Sequence, residues 1–327
     1  MMPTALQRLL IPILLLLTAV AVVLSSMLGS VSLSLAEWFH AIGTPGSEYG
    51  EVIWRLRLPR VAAAWTVGAL LSLSGCLMQV LLRNPLADPY ILGVSGGAAF
   101  AALLGMSLGV TAAFIPPLAL VGSLFSILLV FGLARGEGPW SSTRLLLTGV
   151  VTASGWAALI SLVLALGSDS SLRGMLFWLI GDLGYAKAPP WSFATLVLAF
   201  LFCLALARSL NVLAIGETTA RLLGESTERL VWLVYVLASV LTATAVSIAG
   251  NIGFVGLIVP HLTRLLVGSD HRRLIPAATL FGGLFLVVSD TLARTILAPR
   301  QLPVGVLTAM LGVPLFLLLL NRARLKS

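Results

Sequence analysis

The sequence predicts an all-α integral membrane protein with ten transmembrane helices, and three observations lead there. Of the 327 residues, 59% are apolar and only 10% charged, whereas a soluble domain carries roughly a quarter charged; the mean hydropathy is +1.06. Uncharged runs of about 20 residues, enough to cross a bilayer at roughly 1.5 Å rise per residue, recur from one end to the other. Small residues stand four apart in several of these runs, the spacing that lets membrane helices approach closely.

The spans follow in order. The run 9–36 exceeds the roughly 7–15 apolar residues of a signal-peptide core, so it is expected to stay as the first helix. Single spans fit 61–82, 145–168, 188–207, 274–293 and 301–321. The run 89–134 holds two helices with a break between Ser107 and Pro117, where Gly109 and the Pro116-Pro117 pair interrupt it. The run 230–267 holds two short spans broken at Gly250-Asn251-Ile252-Gly253. No long polar segment separates the spans, so residues 1–327 form a single transmembrane domain.

Twenty basic against twelve acidic residues give a net charge of +8. The basic residues lie between apolar runs and not in one patch, which points to membrane orientation and away from nucleic acid. An even span count puts both termini on one side. Arg8, Arg83, Arg135, Arg144, Arg208, Arg221, Arg229, Arg272, Arg273, Arg322, Arg324 and Lys326 fall at the termini or in alternate loops, so that side is expected to be cytoplasmic. The opposite side keeps Arg55, Arg57, Arg60, Arg173, Lys187, Arg294 and Arg300, which orientation does not explain and function must. Cys76 and Cys203 sit inside apolar runs and are expected to be buried free thiols.

Several chemistries are excluded or disfavoured. Neither lysine, Lys187 or Lys326, follows a glycine, so the chain has no nucleotide-binding P-loop, and ATP hydrolysis would need a separate subunit. His40, His261 and His271 lack metal-ligand spacing, so no metal site is expected. Gly93-Val94-Ser95-Gly96 matches the serine motif of rhomboid proteases, and His261 could serve as its base; an intramembrane serine protease is the remote alternative. An ion-coupled secondary transporter is the nearer one, since broken helices suit alternating access. Such carriers need an ionisable group near mid-membrane, however, and the carboxylates here fall in loops or near span ends, with Asp290 one turn from its natural partner Arg294.

Three further features invite a role. Gly253 to Arg264 brings a proline, a histidine and an arginine into one membrane-depth run, where each polar group needs a partner or a task. Ala64, Gly68, Ser72 and Cys76 form one small-residue stripe, and Gly149, Ala153, Ala157, Ser161 and Ala165 another; such stripes serve internal packing or a subunit seam along a pathway. Residues 211–229 form the one substantial polar stretch on the inner side. There Gly216 and Gly224 bracket a short helix with Glu217 and Arg221 four apart, an element suited to a cytoplasmic partner.

The chain resembles the permease subunits of type II ATP-binding-cassette importers for metal chelates, over essentially its whole length. The resemblance rests on RLRLPR at 55–60, GCLMQVLLRNPLADPYILGVSGGA at 75–98, STRLLLTGV at 142–150, IGETTARLLG at 215–224, GNIGFVGLIVPHLTRLL at 250–266, DHRRLIP at 270–276, SDTLAR at 289–294 and LPVGVLTAMLGVPLF at 302–316. It implies a vitamin-B12-importer-like permease fold in the bacterial inner membrane, working as a homodimer with the second stripe at the pathway seam. It implies two cytoplasmic ATPase subunits, which hold ATP and Mg, docked on Gly216, Glu217, Ala220, Arg221, Leu223, Gly224 and Glu228. It implies a periplasmic or lipoprotein substrate-binding protein docked on Arg57, Arg60 and Arg294. The chain itself would bind no cofactor and catalyse no reaction, and the cargo would be a ferric siderophore, haem or vitamin B12. Gly93 to Gly97 then reads as close backbone packing, while Asp182 and Arg300 depart from the family pattern.

Overall fold

The computed structural model describes residues 4–29, 32–134, 142–184 and 186–324. Arg135, Lys326 and the chain ends, on which part of the orientation argument rests, lie outside the described residues. Every regular element among the described residues is helical. In order they are α1 (Thr4–Met27), α2 (Leu35–Gly43), α3 (Glu48–Val52), a π turn (Ile53–Arg57), α4 (Leu58–Leu81), a 3-10 turn (Pro89–Leu92), α5 (Val94–Ser107), a 3-10 turn (Ala112–Phe114), α6 (Ile115–Ala134), α7 (Ser142–Leu166) and α8 (Asp169–Ile180). There follow α9 (Pro190–Ala205), α10 (Ala207–Ile215), α11 (Glu217–Leu222), α12 (Thr227–Ala249), α13 (Val255–Val267), α14 (His271–Thr295) and α15 (Val304–Arg324).

Each of the ten expected apolar segments is a helix, but they are not equal. Six are long and apolar enough to cross a membrane alone, and α9 with α10, bent by 64°, makes a seventh; α5, α13 and the apolar part of α15 are shorter. Length and composition therefore support six or seven crossings and leave the count of ten unconfirmed. The short helices follow backbone breaks whose polar groups other segments cover, as hydrocarbon requires. Gly93, at φ +71, opens α5, and the Ser126 hydroxyl donates to its carbonyl at 2.8 Å. In the break before α13, the Tyr90 hydroxyl donates to the Ile252 carbonyl at 3.1 Å and accepts the Ile252 N–H at 3.2 Å.

The expected first span overran its helix. α1 ends at Met27, and α2 is a separate helix started by a capping box, with the Ser34 hydroxyl accepting the Glu37 N–H and the Glu37 carboxylate accepting the Ser34 N–H. The Ser-x-x-Glu signature was present in the sequence, hidden because apolar residues run through it. α8 was likewise not expected as a helix.

α4 is the central post of the core, packed against α12, α13 and α14. Its small-residue stripe serves that packing. A Cβ on Gly68 would collide with the Gly282 carbonyl of α14, and the Ser72 hydroxyl donates to the Ala278 carbonyl at 2.7 Å. Ala64 and Cys76 are fully buried beside them. α1 and α7 lie at the periphery, their apolar faces mostly outward.

Candidate functional site

The C-terminal ends of α1 and α14 and the N-terminal end of α4 converge on a cationic cavity of about 400 Å³ whose wall includes Arg55, Arg57, Arg60, Lys187, Arg294 and Gln301. The local sequence builds it simply. Arg57 and Arg60 stand three apart across the start of α4 and so share a face, while Arg55 points outward into an exposed pair with Glu51 at 3.4 Å. The three arginines expected as an open docking surface are more than nine-tenths buried. Only their edges reach the cavity.

Burial is tolerated because each guanidinium has hydrogen-bond partners, although Arg294 Nε reaches Asp290 as an ion pair without a hydrogen bond. The Arg57 Nη1 donates to the carbonyls of Ser26 at 2.9 Å and Met27 at 2.7 Å, and the Arg294 Nη2 donates to the Ser25 carbonyl at 3.1 Å and hydroxyl at 2.7 Å. These are carbonyls that the end of α1 leaves without helical partners, at the negative pole of its dipole. Arg60 grips Asp290 through Nε, 3.1 Å from each carboxylate oxygen, and through Nη2, 2.8 Å from Oδ1. The Arg60 Nη1 donates to Gln301 Oε1 at 2.8 Å. Arg294 Nε lies 3.1 Å from Asp290 Oδ2, the pair expected one helical turn apart. The Arg60–Asp290 pair, 230 residues apart in sequence, carried no local signal. The network is interior and not an exposed surface, and losing one partner there is costly.

Asp182 lies in the strap between α8 and α9. Its N–H donates to the Ala249 carbonyl at 3.0 Å, and the neighbouring Gly181 carbonyl accepts the Gly305 N–H at 3.1 Å. Burial raises its carboxyl above the usual range, partly offset by the Gly184 N–H and by Arg60. A second cavity, of about 680 Å³, is lined by Asp182, by Arg173 and Phe177 of α8, and by Lys187, which also lines the first. The strap is thus the shared wall of two cavities. Arg300 is exposed in the loop after α14.

The second stripe divides. Gly149 is buried where α7 crosses the start of α5, with its carbonyl 3.3 Å from a Cβ built on Gly93; Ala153 is half-buried, and Ala157, Ser161 and Ala165 are exposed. The serine and histidine of the protease alternative are not assembled. No hydrogen bond joins Ser95 to His261 among the described residues, and His261 Nδ1 has no partner. Gly96 of that motif serves packing against Trp156, as does the following Gly97 against Gly122.

On the other side, α10, α11 and the start of α12 form the polar element 211–229. Gly216 opens α11 at φ +143. Gly224, at φ +86, closes it as the sequence suggested: its N–H donates to the Arg221 carbonyl, and the Glu225 N–H to the Ala220 carbonyl, each at 3.0 Å, the Schellman arrangement. Two details differ. The expected Glu217–Arg221 pair is replaced by an Arg221 Nε hydrogen bond to the Thr227 hydroxyl at 2.8 Å. Gly216 and Ala220 are buried beneath the element, so they shape it and offer no contact surface. Arg221, Leu223, Gly224 and Glu228 are exposed and Glu217 half-buried, while Leu222, 83% exposed, and Ile215, 71% exposed, are apolar contacts the sequence reading missed. Asn211 ties this element to α14, donating to Asp270 Oδ1 at 2.8 Å and accepting the His271 N–H at 2.9 Å.

The chain belongs to the FecCD transport family, which it matches over residues 16–322. It is 41% identical to a cobalamin import system permease protein, BtuC, of Halobacterium salinarum, over 84% of this chain and 75% of the relative. It is 39% identical to the hemin transport system permease protein HmuU of Yersinia pestis, over 97% and 96%. Among solved structures it matches a metal-chelate type ABC transporter in an inward-facing conformation with a TM-score of 0.84 and 33% identity, covering 96% of this chain and 99% of the other. The chain is thus a multi-pass permease of the vitamin-B12-importer fold type.

Proposed function

We propose that this chain is the membrane-spanning subunit of an ATP-driven importer that carries a metal chelate across the bacterial inner membrane. The observation that carries this reading is the match to the FecCD transport family over residues 16–322, supported by near-complete overlap with the metal-chelate transporter. Relatives named for cobalamin and for hemin match about equally well, so the cargo is proposed as the class alone: ferric siderophore, haem or vitamin B12.

The working unit is a homodimer of ten-span subunits with both termini cytoplasmic, its seam formed by the exposed part of the α7 stripe at Ala157, Ser161 and Ala165. Two ATPase subunits, holding ATP and Mg, dock on 211–229, where Leu222, Leu223 and Ile215 present apolar contacts on an otherwise polar element. A substrate-binding protein docks over the cationic cavity and places acidic side chains against Arg57, Arg60 and Arg294. ATP binding displaces 211–229, and that differential contact shifts the spans between inward- and outward-open states. Asp290 is held by two arginines, which argues against a proton- or ion-coupled carboxylate and hence against a secondary carrier.

Co-expression with a P-loop ATPase and a binding protein drawn from the neighbouring reading frames tests the assembly. A stable complex of two permeases and two ATPases that captures the binding protein is expected. A permease that purifies alone under every nucleotide condition would contradict it.

A further inference from the structure

The cationic cavity carries five basic side chains on its wall and no carboxylate. Directly behind that wall sits Asp290, fully buried, which engages the Nε and Nη2 edge of Arg60 and stands 3.1 Å from Arg294 Nε. Among the described residues no other carboxylate lies within ion-pair distance of either arginine, although Asp182 stands near enough to Arg60 to feel its charge. One buried anion is therefore shared by two cations, and it draws on the charge that an anion entering the cavity would meet.

The outer edge of Arg60 is occupied differently. Its Nη1 holds the amide oxygen of Gln301, a neutral and exposed acceptor. A carboxylate arriving from outside can replace a neutral amide there without displacing any protein charge, since a charge-assisted hydrogen bond is roughly twice as strong as a neutral one. The two edges of one guanidinium thus face two anion positions, the inner filled by Asp290 and the outer held open by Gln301.

We propose that Asp290 is an internal competitor which sets how tightly the binding protein docks: its charge weakens the hold of Arg60 and Arg294 on the partner's carboxylate, so that the partner is released after delivery. Gln301 is the place-holder for that incoming carboxylate. This rests on the docking reading given above, and the test separates the two.

Docking of the cognate binding protein is measured on the intact permease–ATPase complex in nanodiscs, at low and high salt. Asp290→Asn keeps the shape and removes the competing charge; docking tightens about tenfold at low salt, chiefly through slower dissociation, with a steeper salt dependence. Gln301→Glu, at an exposed position that does not threaten folding, fills the outer edge of Arg60 with a fixed anion; docking weakens about tenfold. A folded Asp290→Asn complex that docks like wild type or more weakly overturns the proposal, as does a Gln301→Glu complex that docks unchanged. Should Asp290→Asn fail to assemble, the Gln301→Glu result decides alone. Lys187→Glu, an exposed change on the same wall, distinguishes the underlying reading. If it too leaves docking unchanged, the cavity is not the docking site; if it weakens docking while the other two do nothing, only the competition fails.

Discussion

Replacing Arg60 by alanine should destabilise the folded chain by about 3 kcal/mol. The substitution removes three donor–acceptor contacts to Asp290, at 2.8 to 3.1 Å, and leaves a fully buried carboxylate with Arg294 as its remaining partner. Breaking a buried pair by deleting one member costs roughly 3–5 kcal/mol, most of it the penalty of the stranded charge. Arg294 keeps part of that charge compensated, which places the estimate at the lower end. Adding Asp290→Asn in the same background removes the stranded charge and should recover about half of the loss, because a neutral amide is far cheaper to bury than a carboxylate. The double mutant should therefore stand about 1.5 kcal/mol below wild type against about 3 for Arg60→Ala alone, and denaturant unfolding in mixed micelles, with Asp290→Asn measured as the third corner of the cycle, should show the two changes costing less together than their sum. An Arg60→Ala protein within about 0.5 kcal/mol of wild type would refute the reasoning and return these arginines to a loosely held surface.

Three further outcomes follow from the same structure. Gly68→Val puts a branched side chain where a single Cβ already collides with Gly282; it should force α4 and α14 apart and cost at least about 3 kcal/mol, read as loss of the folded fraction after extraction, whereas wild-type yield would show that the helices do not approach so closely. Leu222→Asp, on a side chain 83% exposed, should leave thermal stability unchanged while reducing transport-coupled ATP hydrolysis by about tenfold or more, and unimpaired coupling would remove α11 from the ATPase contact. The hydrogen bond from Asn211 holds the Asp270 carboxyl below its ordinary range, aided by the Arg272 N–H and the nearby arginines. Its stabilisation is therefore present above the unfolded carboxylate pKa and lost as pH falls through the lowered folded value. The stability gap between wild type and Asn211→Ala should then be widest near neutral pH and close on acidification; a gap that widens in acid would reverse the assignment.

What was legible in the sequence was what local physics writes locally. Pro116-Pro117 and Gly109 marked the break between α5 and α6, Gly250 to Gly253 the break before α13, and Gly216 and Gly224 the two ends of α11, because each position needs a conformation or a missing donor that only those residues supply. The stripe on α4 announced close packing for the same reason. Its partner on α14 was not legible, and neither was the pairing of Arg60 with Asp290, since nothing in a strand of sequence says which distant helix lies alongside. The arginines were noticed because they broke the charge rule of the face expected to be outer. Exposure was the natural assumption, and it failed because the free carbonyls at the end of α1 and the Asp290 carboxylate together satisfy buried guanidiniums. α2 was missed because hydrophobicity alone does not reveal a helix end when the next helix is also apolar.

Uptake by proteoliposomes containing the permease, its ATPase and its binding protein tests the central claim most directly, with radiolabelled ferric siderophore, haem and vitamin B12 each offered in turn. The account predicts accumulation of one of these chelates only when ATP, the ATPase and the binding protein are all present, and none when a proton or sodium gradient replaces ATP. Accumulation driven by an ion gradient in vesicles holding the permease alone would contradict it.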